Sequence, residues 1–525
     1  MTIFLSIFPI ALLIYLMTKG KSVPASKALP VAAAVLYAIR FFVFKDNPTE
    51  LHAGIISGIL SAWTPILVIW GAILLFQTME VSGALKRIRE WLGTLAEHRV
   101  EQIMLVGWAF SFFIEGVSGF GTPAALAAPI LVGFGFPPLR AVMLCLVLNS
   151  VPVSFGAVGT PTWFGLGTLG LSTDELLVIG ERTAIIHFFA GIVIPFLALR
   201  FLLSWQEIRK NWIFILLSIL SCTIPYLLLA TGNIEFPSII GGAVGLIATL
   251  LLAKYNVGLF RDGIMPSRKK FEIKKLLLAF LPLVLVIVVL ILTRVEGLGL
   301  KSLLTSLASS WSASLGKLGI FSLSPSLVVG LKNILGTAQN WSHAILYVPS
   351  ILPFLVVTLI SFSFLKVKSS DRRKVFSSSW DRIKSPIIAL SAALIFVKLL
   401  MVGESSPAMV LGENLARVSG QAWGFFSPLL GALGAFFSGS NTVSNLTFGG
   451  IQQAAAVSLH MPPLIILSLQ NVGGAMGNMV SIQNIIAACA VVGITNKAGE
   501  ILKKTIWPML AYAIIAGLFG VLWTT

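Results

Sequence analysis

Apolar runs recur along the whole chain, separated by short polar stretches. Runs centred on 3–17, 28–44, 53–79, 102–114, 141–158, 183–204, 212–230, 237–253, 276–293, 341–365, 386–402, 421–437, 462–477 and 505–523 are dominated by Leu, Ile, Val, Phe and Ala. A bilayer core about 30 Å thick needs about 20 apolar residues in a helix, so most of these runs read as spans. They lack the period-two alternation of barrel strands, and lipid offers no partners to open strand edges. The pattern predicts an all-α polytopic membrane protein with about 12–14 transmembrane helices. Segment 297–340 fits least well. An even number of crossings is expected there, as a re-entrant pair or as surface helices.

Two regions break the apolar pattern without becoming loops. They are 115–161 and 438–484, both rich in Gly, Ser, Thr, Asn and Pro. Irregular backbone at membrane depth is tolerated only inside protein or along a cavity. The two regions resemble each other. Each opens with Ser-Gly and then a threonine (Ser118, Gly119, Thr122; Ser438, Gly439, Thr442). Each continues to a Pro-Pro-Leu turn (137–139; 462–464), then an asparagine inside an apolar run (Asn149; Asn471), then a Gly-rich stretch.

Composition agrees with this reading. Of 525 residues, 57% are hydrophobic and 11% charged, too few charges for a soluble surface. The net charge of +17 would suggest nucleic acid in a soluble chain, but here its placement matters more. Segments 254–275 and 366–384 each carry seven basic and two acidic residues, and 17–27 carries three basic and no acidic ones. Segments 171–182 and 404–417 are net acidic. Basic loops mark the cytoplasmic side, which puts both termini outside. An amphipathic stretch at 86–101, with Leu85, Ile88, Leu92 and Leu95 on one face, suits the inner interface. The N-terminal run lacks a basic leader region and reads as a retained helix.

On this topology the two polar regions enter from opposite faces. They form an inverted repeat, each copy holding a re-entrant hairpin and a broken helix, the usual setting of a transporter site. The halves are 1–253, with its hairpin and broken helix at about 115–161, and 276–525, with its own at about 438–484. The basic cytoplasmic linker 254–275 joins them.

The candidate site follows from these breaks. Gly119 and Gly121 permit a sharp turn, and Thr122 before a proline suits a helix cap. Helix starts aimed at a cavity suit an anion. Ser440, Asn441, Thr442, Ser444 and Asn445 supply comparable groups in the second copy. Asn149, Asn471, Ser154, Asn478, Ser481 and Gln483 lie in or beside the expected unwound stretches. Glu115 is the only charged residue between Glu101 and Arg140. A carboxylate in hydrocarbon is costly, which marks it for proton coupling or for fixing the hairpin. His187, within 183–204, is a second candidate for proton coupling, against the plainer reading of a satisfied core histidine. Three cysteines form no paired motif, five histidines form no metal cluster, and neither a zinc-protease nor a nucleotide-binding motif is present. No catalytic residues, metal or cofactor are expected.

At these residues the chain resembles the lactate permease family, which includes glycolate permeases. The resemblance runs through Glu115-Gly116, Gly119 to Pro123, Asn149, Phe155 to Gly159, Gly439-Ser440, Ser444-Asn445, Phe448-Gly449, Gln452, Asn471, Gly473-Gly474, Ser481 and Gln483. It implies a permease for 2-hydroxy-monocarboxylates driven by proton symport. Its partners would be a small organic anion, a proton and the bilayer, with a homo-oligomer left open. The chain departs from the family pattern at Asn478 and Ile482, where lysine and proline are usual, and at Asn441, where aspartate is common. Losing both members of a charge pair strands no ion. A different organic acid, a Na+-coupled carrier and a channel remain as alternatives.

Overall fold

A computed structural model of the chain describes residues 2–18, 23–95, 98–119, 121–260, 273–294, 296–403, 406–494 and 497–524. Most of the basic linker, residues 261–272, therefore lies outside the described residues, as do Lys19, Lys21, Phe120 and Glu404. Among the described residues, nine helices are long and apolar enough to cross a bilayer, or up to eleven if each of two bent pairs is one span. Three shorter apolar helices, Ile3–Met17, Thr122–Gly133 and Ile351–Phe364, accompany them.

The chain forms two compact units, each built from two separate segments of the sequence. The first comprises Met1–Ile88 and Glu272–Leu411, the second Arg89–Phe271 and Gly412–Thr525. Helix lengths recur in order along the chain. Pro48–Val81 has 34 residues and Ser369–Met401 has 33. The short helices that follow, Ala84–Leu95 and Pro407–Ser419, have 12 and 13. Each hairpin region then leads to a 27-residue helix, Thr173–Leu199 and Ala498–Thr524.

In the first unit, Pro48–Val81 packs along Ser369–Met401. A Cβ on Gly58 would lie 2.9 Å from the Ile395 amide, so the small residue allows backbone approach. Arg40 is buried, with its Nε 2.6 Å from Asp46 Oδ2 and its Nη1 donating to the Leu399 carbonyl. That carbonyl lies at a helix C-terminus, where intrahelical donors run out. The face of Ala84–Leu95 formed by Leu85, Ile88 and Leu92 is buried, as its periodicity predicts.

Segment 297–340 departs from expectation. Only Leu300–Thr305 and short turns are helical there. The rest builds an antiparallel meander of β1 (Trp311–Ser314), β2 (Ile320–Leu323), β3 (Val328–Lys332) and β4 (Trp341–Ala344), in spatial order β1-β2-β3-β4. The helical run expected over 341–365 accordingly starts at Ile351. The strands are four or five residues long, and Gly316 and Gly319 make the first turn at φ +63° and +118°. Ser312 and Ser322 alternate with Trp311, Ala313, Phe321 and Leu323, the side-chain period of a strand. His343 Nδ1 on β4 lies 2.8 Å from Thr64 Oγ1 and ties the sheet to helix Pro48–Val81.

Candidate functional site

The second unit contains both breakpoint regions. The first begins in helix Arg99–Ser118. Its middle, Ile103–Phe110, is wound as a π-helix, and Ser111 Oγ donates to the Val106 carbonyl at 3.0 Å. Gly116 and Gly242 let this helix lie against Pro237–Lys254: a Cβ on either would come within 2.4 Å of the opposing backbone. The helix stops at Gly119, φ +59°, and a new one starts after Gly121, φ +76°. These angles favour glycine. Gly121, not Thr122, occupies the cap position. Thr122 is the first helical residue, and its hydroxyl accepts from Ser118 Oγ at 2.8 Å. The sequence expectation of a threonine cap is corrected on that point, because an αL glycine already turns the chain there.

After the Pro-Pro turn, helix Pro138–Leu148 ends at Asn149 and the backbone unwinds. Val151–Phe155 is a 3-10 turn, and Ala157, Val158 and Gly159 all have positive φ. A β-branched residue in that region is strained and persists only where its surroundings hold it. They do so through carbonyls. Tyr226 donates to Val151 O, Ser238 to Pro152 O, Thr162 to Ser154 O, Thr160 to Ala157 O, Trp163 to Val158 O and Asn445 to Pro161 O. This is how irregular backbone survives without water.

The second region repeats the plan. Helix Trp423–Ser438 ends at Gly439, φ +69°, and Ser440 caps helix Asn441–Ser458 by accepting from Val443 N at 3.3 Å. Helix Pro463–Gly477 gives way to a 3-10 turn at Asn478–Val480. Ser481 then caps Ile482–Val491 through Asn484 N at 3.4 Å.

The breakpoints line a small cavity of about 10 Å3, room for about one water. Glu115, Gly119, Gly156 and Ala157 line it from the first region, and Gly439, Ser440, Asn441, Thr442 and Asn478 from the second. Glu115 is 3% exposed, and its Oε2 accepts from Asn149 Nδ2 at 2.9 Å. Its Oε1 lies against Gly156, where a Cβ would come to 2.4 Å. Among the described residues, no lysine, arginine or histidine lines the cavity. The Thr442 hydroxyl is buried there, and among the described residues it has no partner.

Beside the cavity lies a buried carboxamide network centred on Asn471. Its Oδ1 accepts from Asn441 Nδ2 at 3.0 Å and from Asn445 Nδ2 at 2.9 Å, and its Nδ2 donates to Thr162 Oγ1 at 2.9 Å and Thr183 Oγ1 at 3.3 Å. Gln470 Nε2 donates to Ser444 Oγ at 3.0 Å, and Ser444 itself donates to Gly431 O, pinning two helices. His187 is fully buried. Its Nε2 lies 2.8 Å from Ser154 Oγ, and its Nδ1 pairs with the Tyr512 hydroxyl. Ser154 also donates to Asn471 O at 3.2 Å.

Of the residues singled out from sequence, Glu115, Gly119, Ser440, Asn441, Thr442 and Asn478 meet at the cavity. Asn149, Ser154, Asn445, Asn471 and His187 stand behind it in hydrogen-bonded contact. Gly121 and Ser481 adjoin the breakpoints, Ser444 packs helices, and Gln483 Nε2 donates to Phe437 O at 3.3 Å. Sequence reasoning passed over Asn484, Gln470, Thr162, Thr183 and Tyr512. Asn484 and Gln470 could have been found as polar neighbours of chosen residues. Tyr512 carries no local signal, being 325 residues from its histidine partner.

The architecture defines a polytopic helical membrane protein in which two similar helix-break regions line a small polar cavity with, among the described residues, one acid. The sequence model of the family described as L-lactate permease matches residues 2–525, and the chain belongs to that family. A Haemophilus influenzae protein named "Putative L-lactate permease" is 48% identical over 98% of this chain and 97% of its own length. The L-lactate permease of Escherichia coli K12 is 27% identical over 93% of this chain and 90% of its own length. The glycolate permease GlcA of the same strain is 26% identical over 94% and 90%. The solved YdaH transporter of Alcanivorax borkumensis aligns over 98% of both chains at 14% identity, with a TM-score of 0.44, too low to carry an argument.

Proposed function

We propose that this chain is a secondary active transporter, not an enzyme, that imports a small 2-hydroxy-monocarboxylate across the plasma membrane by proton symport. L-lactate is the first substrate proposed, with D-lactate and glycolate beside it. The family relationship supports the substrate class. The observation that carries the coupling is the cavity lined by Glu115 and, among the described residues, by no basic side chain.

The physical argument is one of charge. The cavity widens to admit an anion, and an anion at about 5 Å from the carboxyl is repelled, as a like charge at an effective dielectric of about 20, by roughly 3 kcal/mol. The anion therefore binds on the order of a hundredfold more tightly when the carboxyl is protonated. The helix start at Asn441, which lines the cavity, turns its amide end toward the carboxylate, and Thr442 offers its hydroxyl to the ligand's 2-hydroxyl. His187 would join the proton path through Ser154 and Asn471. The basic loops support cytoplasmic linkers, outward termini and opposite insertion of the two breakpoint regions.

Uptake of labelled L-lactate and glycolate into proteoliposomes under an imposed pH gradient tests the proposal. Gradient-driven, saturable accumulation with counterflow supports it and separates a carrier from a channel. Absence of gradient-stimulated flux for every small monocarboxylate tried rejects it.

A further inference from the structure

The second breakpoint holds an arrangement that proton coupling leaves unused. Helix Trp423–Ser438 ends at Gly439, so its last carbonyls form the negative end of a helix dipole. Helix Pro463–Gly477 unwinds at Asn478, close by. The side chain of Asn484 fills the gap between them. Its amide nitrogen faces three carbonyl oxygens: Asn478 Oδ1 at 2.6 Å, Gly439 O at 3.4 Å and Asn478 O at 3.5 Å. A fourth oxygen, Ser481 Oγ, borders the same space, 3.2 Å from where a Cβ on Gly439 would lie. An amide NH2 has two protons, so three acceptors outnumber its donors, and two of them stand at the long limit of a hydrogen bond. A neutral hydrogen-bond donor therefore faces this cluster of oxygens.

We propose that the oxygens of Gly439, Asn478, Ser481 and Asn484 form a binding site for Na+. Unwound backbone carbonyls and helix C-terminal ends are the groups that hold Na+ in broken-helix sites. The ligands are all neutral, which suits a monovalent ion, since calcium and magnesium sites draw on carboxylates. Rotating the Asn484 amide half a turn replaces Nδ2 with Oδ1 and completes the ring. That oxygen now faces the other breakpoint, where a Cβ on Gly121 would lie 3.0 Å from it. One residue thus hydrogen-bonds the second breakpoint and lies beside the first. Gly439 and Asn478 also line the cavity of Glu115, so the ion lies beside the space proposed for the anion. That last consequence rests on the proposed function. Ion binding itself does not.

The test needs no organic acid. The full chain is purified in detergent, and its melting temperature is followed in NaCl, KCl and choline chloride at constant ionic strength. A ligand that binds only the folded state raises the melting temperature with concentration. The expected result is a saturating rise in NaCl above the choline baseline. Asn484→Ala and Asn478→Lys should both abolish it, the second by setting a tethered ammonium beside the same carbonyls. Asn478→Lys carries the test if the alanine variant does not fold. Identical melting in NaCl and choline chloride, a rise in KCl alone, or a Na+ response surviving in Asn478→Lys overturns the proposal. Because no substrate is present, failure here is distinct from failure of monocarboxylate transport.

Discussion

Replacing Glu115 by glutamine removes the cavity's one charge while keeping its shape. Glutamine can still accept from Asn149 Nδ2 through its carbonyl oxygen, and its amide nitrogen occupies the space beside Gly156. In the parent, an ionised Glu115 opposes the anion by roughly 3 kcal/mol at about 5 Å. That corresponds to on the order of a hundredfold in affinity between the two protonation states of the carboxyl. Anion affinity should therefore weaken as pH rises through the titration of this group in the parent, and stay flat in Glu115→Gln. Gradient-driven accumulation needs a proton that moves with the anion. The variant should lose accumulation and keep exchange. The assay is paired: labelled L-lactate uptake under an imposed pH gradient, and counterflow at equal pH on both sides, from mildly acid to mildly alkaline. Undiminished accumulation by Glu115→Gln, or counterflow with the same pH dependence as the parent, would refute the charge argument.

Other predictions follow from the same geometry. Gly156→Ala places a Cβ 2.4 Å from Glu115 Oε1, an overpacking of about 1–3 kcal/mol, and should depress flux more than melting temperature. Asn471→Ala leaves Asn441 and Asn445 without their shared acceptor and should cost about 1–3 kcal/mol of stability, read by thermal unfolding. Tyr512→Phe removes one hydrogen bond from His187, an expected loss of about 1 kcal/mol, and should change the pH profile of transport if the chain from Tyr512 to Asn471 conducts protons.

Much of this organisation is written locally in the chain. Apolar runs locate the helices because lipid demands continuous intrahelical bonding. The breakpoints show as Gly, Ser and Asn at membrane depth, and Gly119, Gly121 and Gly439 do adopt the left-handed backbone that such residues permit. What the chain hides is non-local. Neither the interleaving of 1–88 with 272–411 nor the pairing of His187 with Tyr512 has any sequence-adjacent trace. The meander at 311–344 had a signal in its short serine–apolar alternation and Gly316-Gly319 turn. Its strands are too short to outweigh the expectation of helices in a membrane chain. Asn484 was legible as a polar residue in an unwound stretch. Its reach to both breakpoints depends on three-dimensional closure, which spacing alone does not give.

The most direct measurement pairs the two fluxes. Proteoliposomes loaded with a pH-sensitive dye receive an inward L-lactate gradient, with labelled lactate counted in parallel. The account predicts lumenal acidification that tracks lactate uptake in constant proportion and disappears in Glu115→Gln. Lactate uptake without proton movement, or acidification that survives Glu115→Gln, would contradict it.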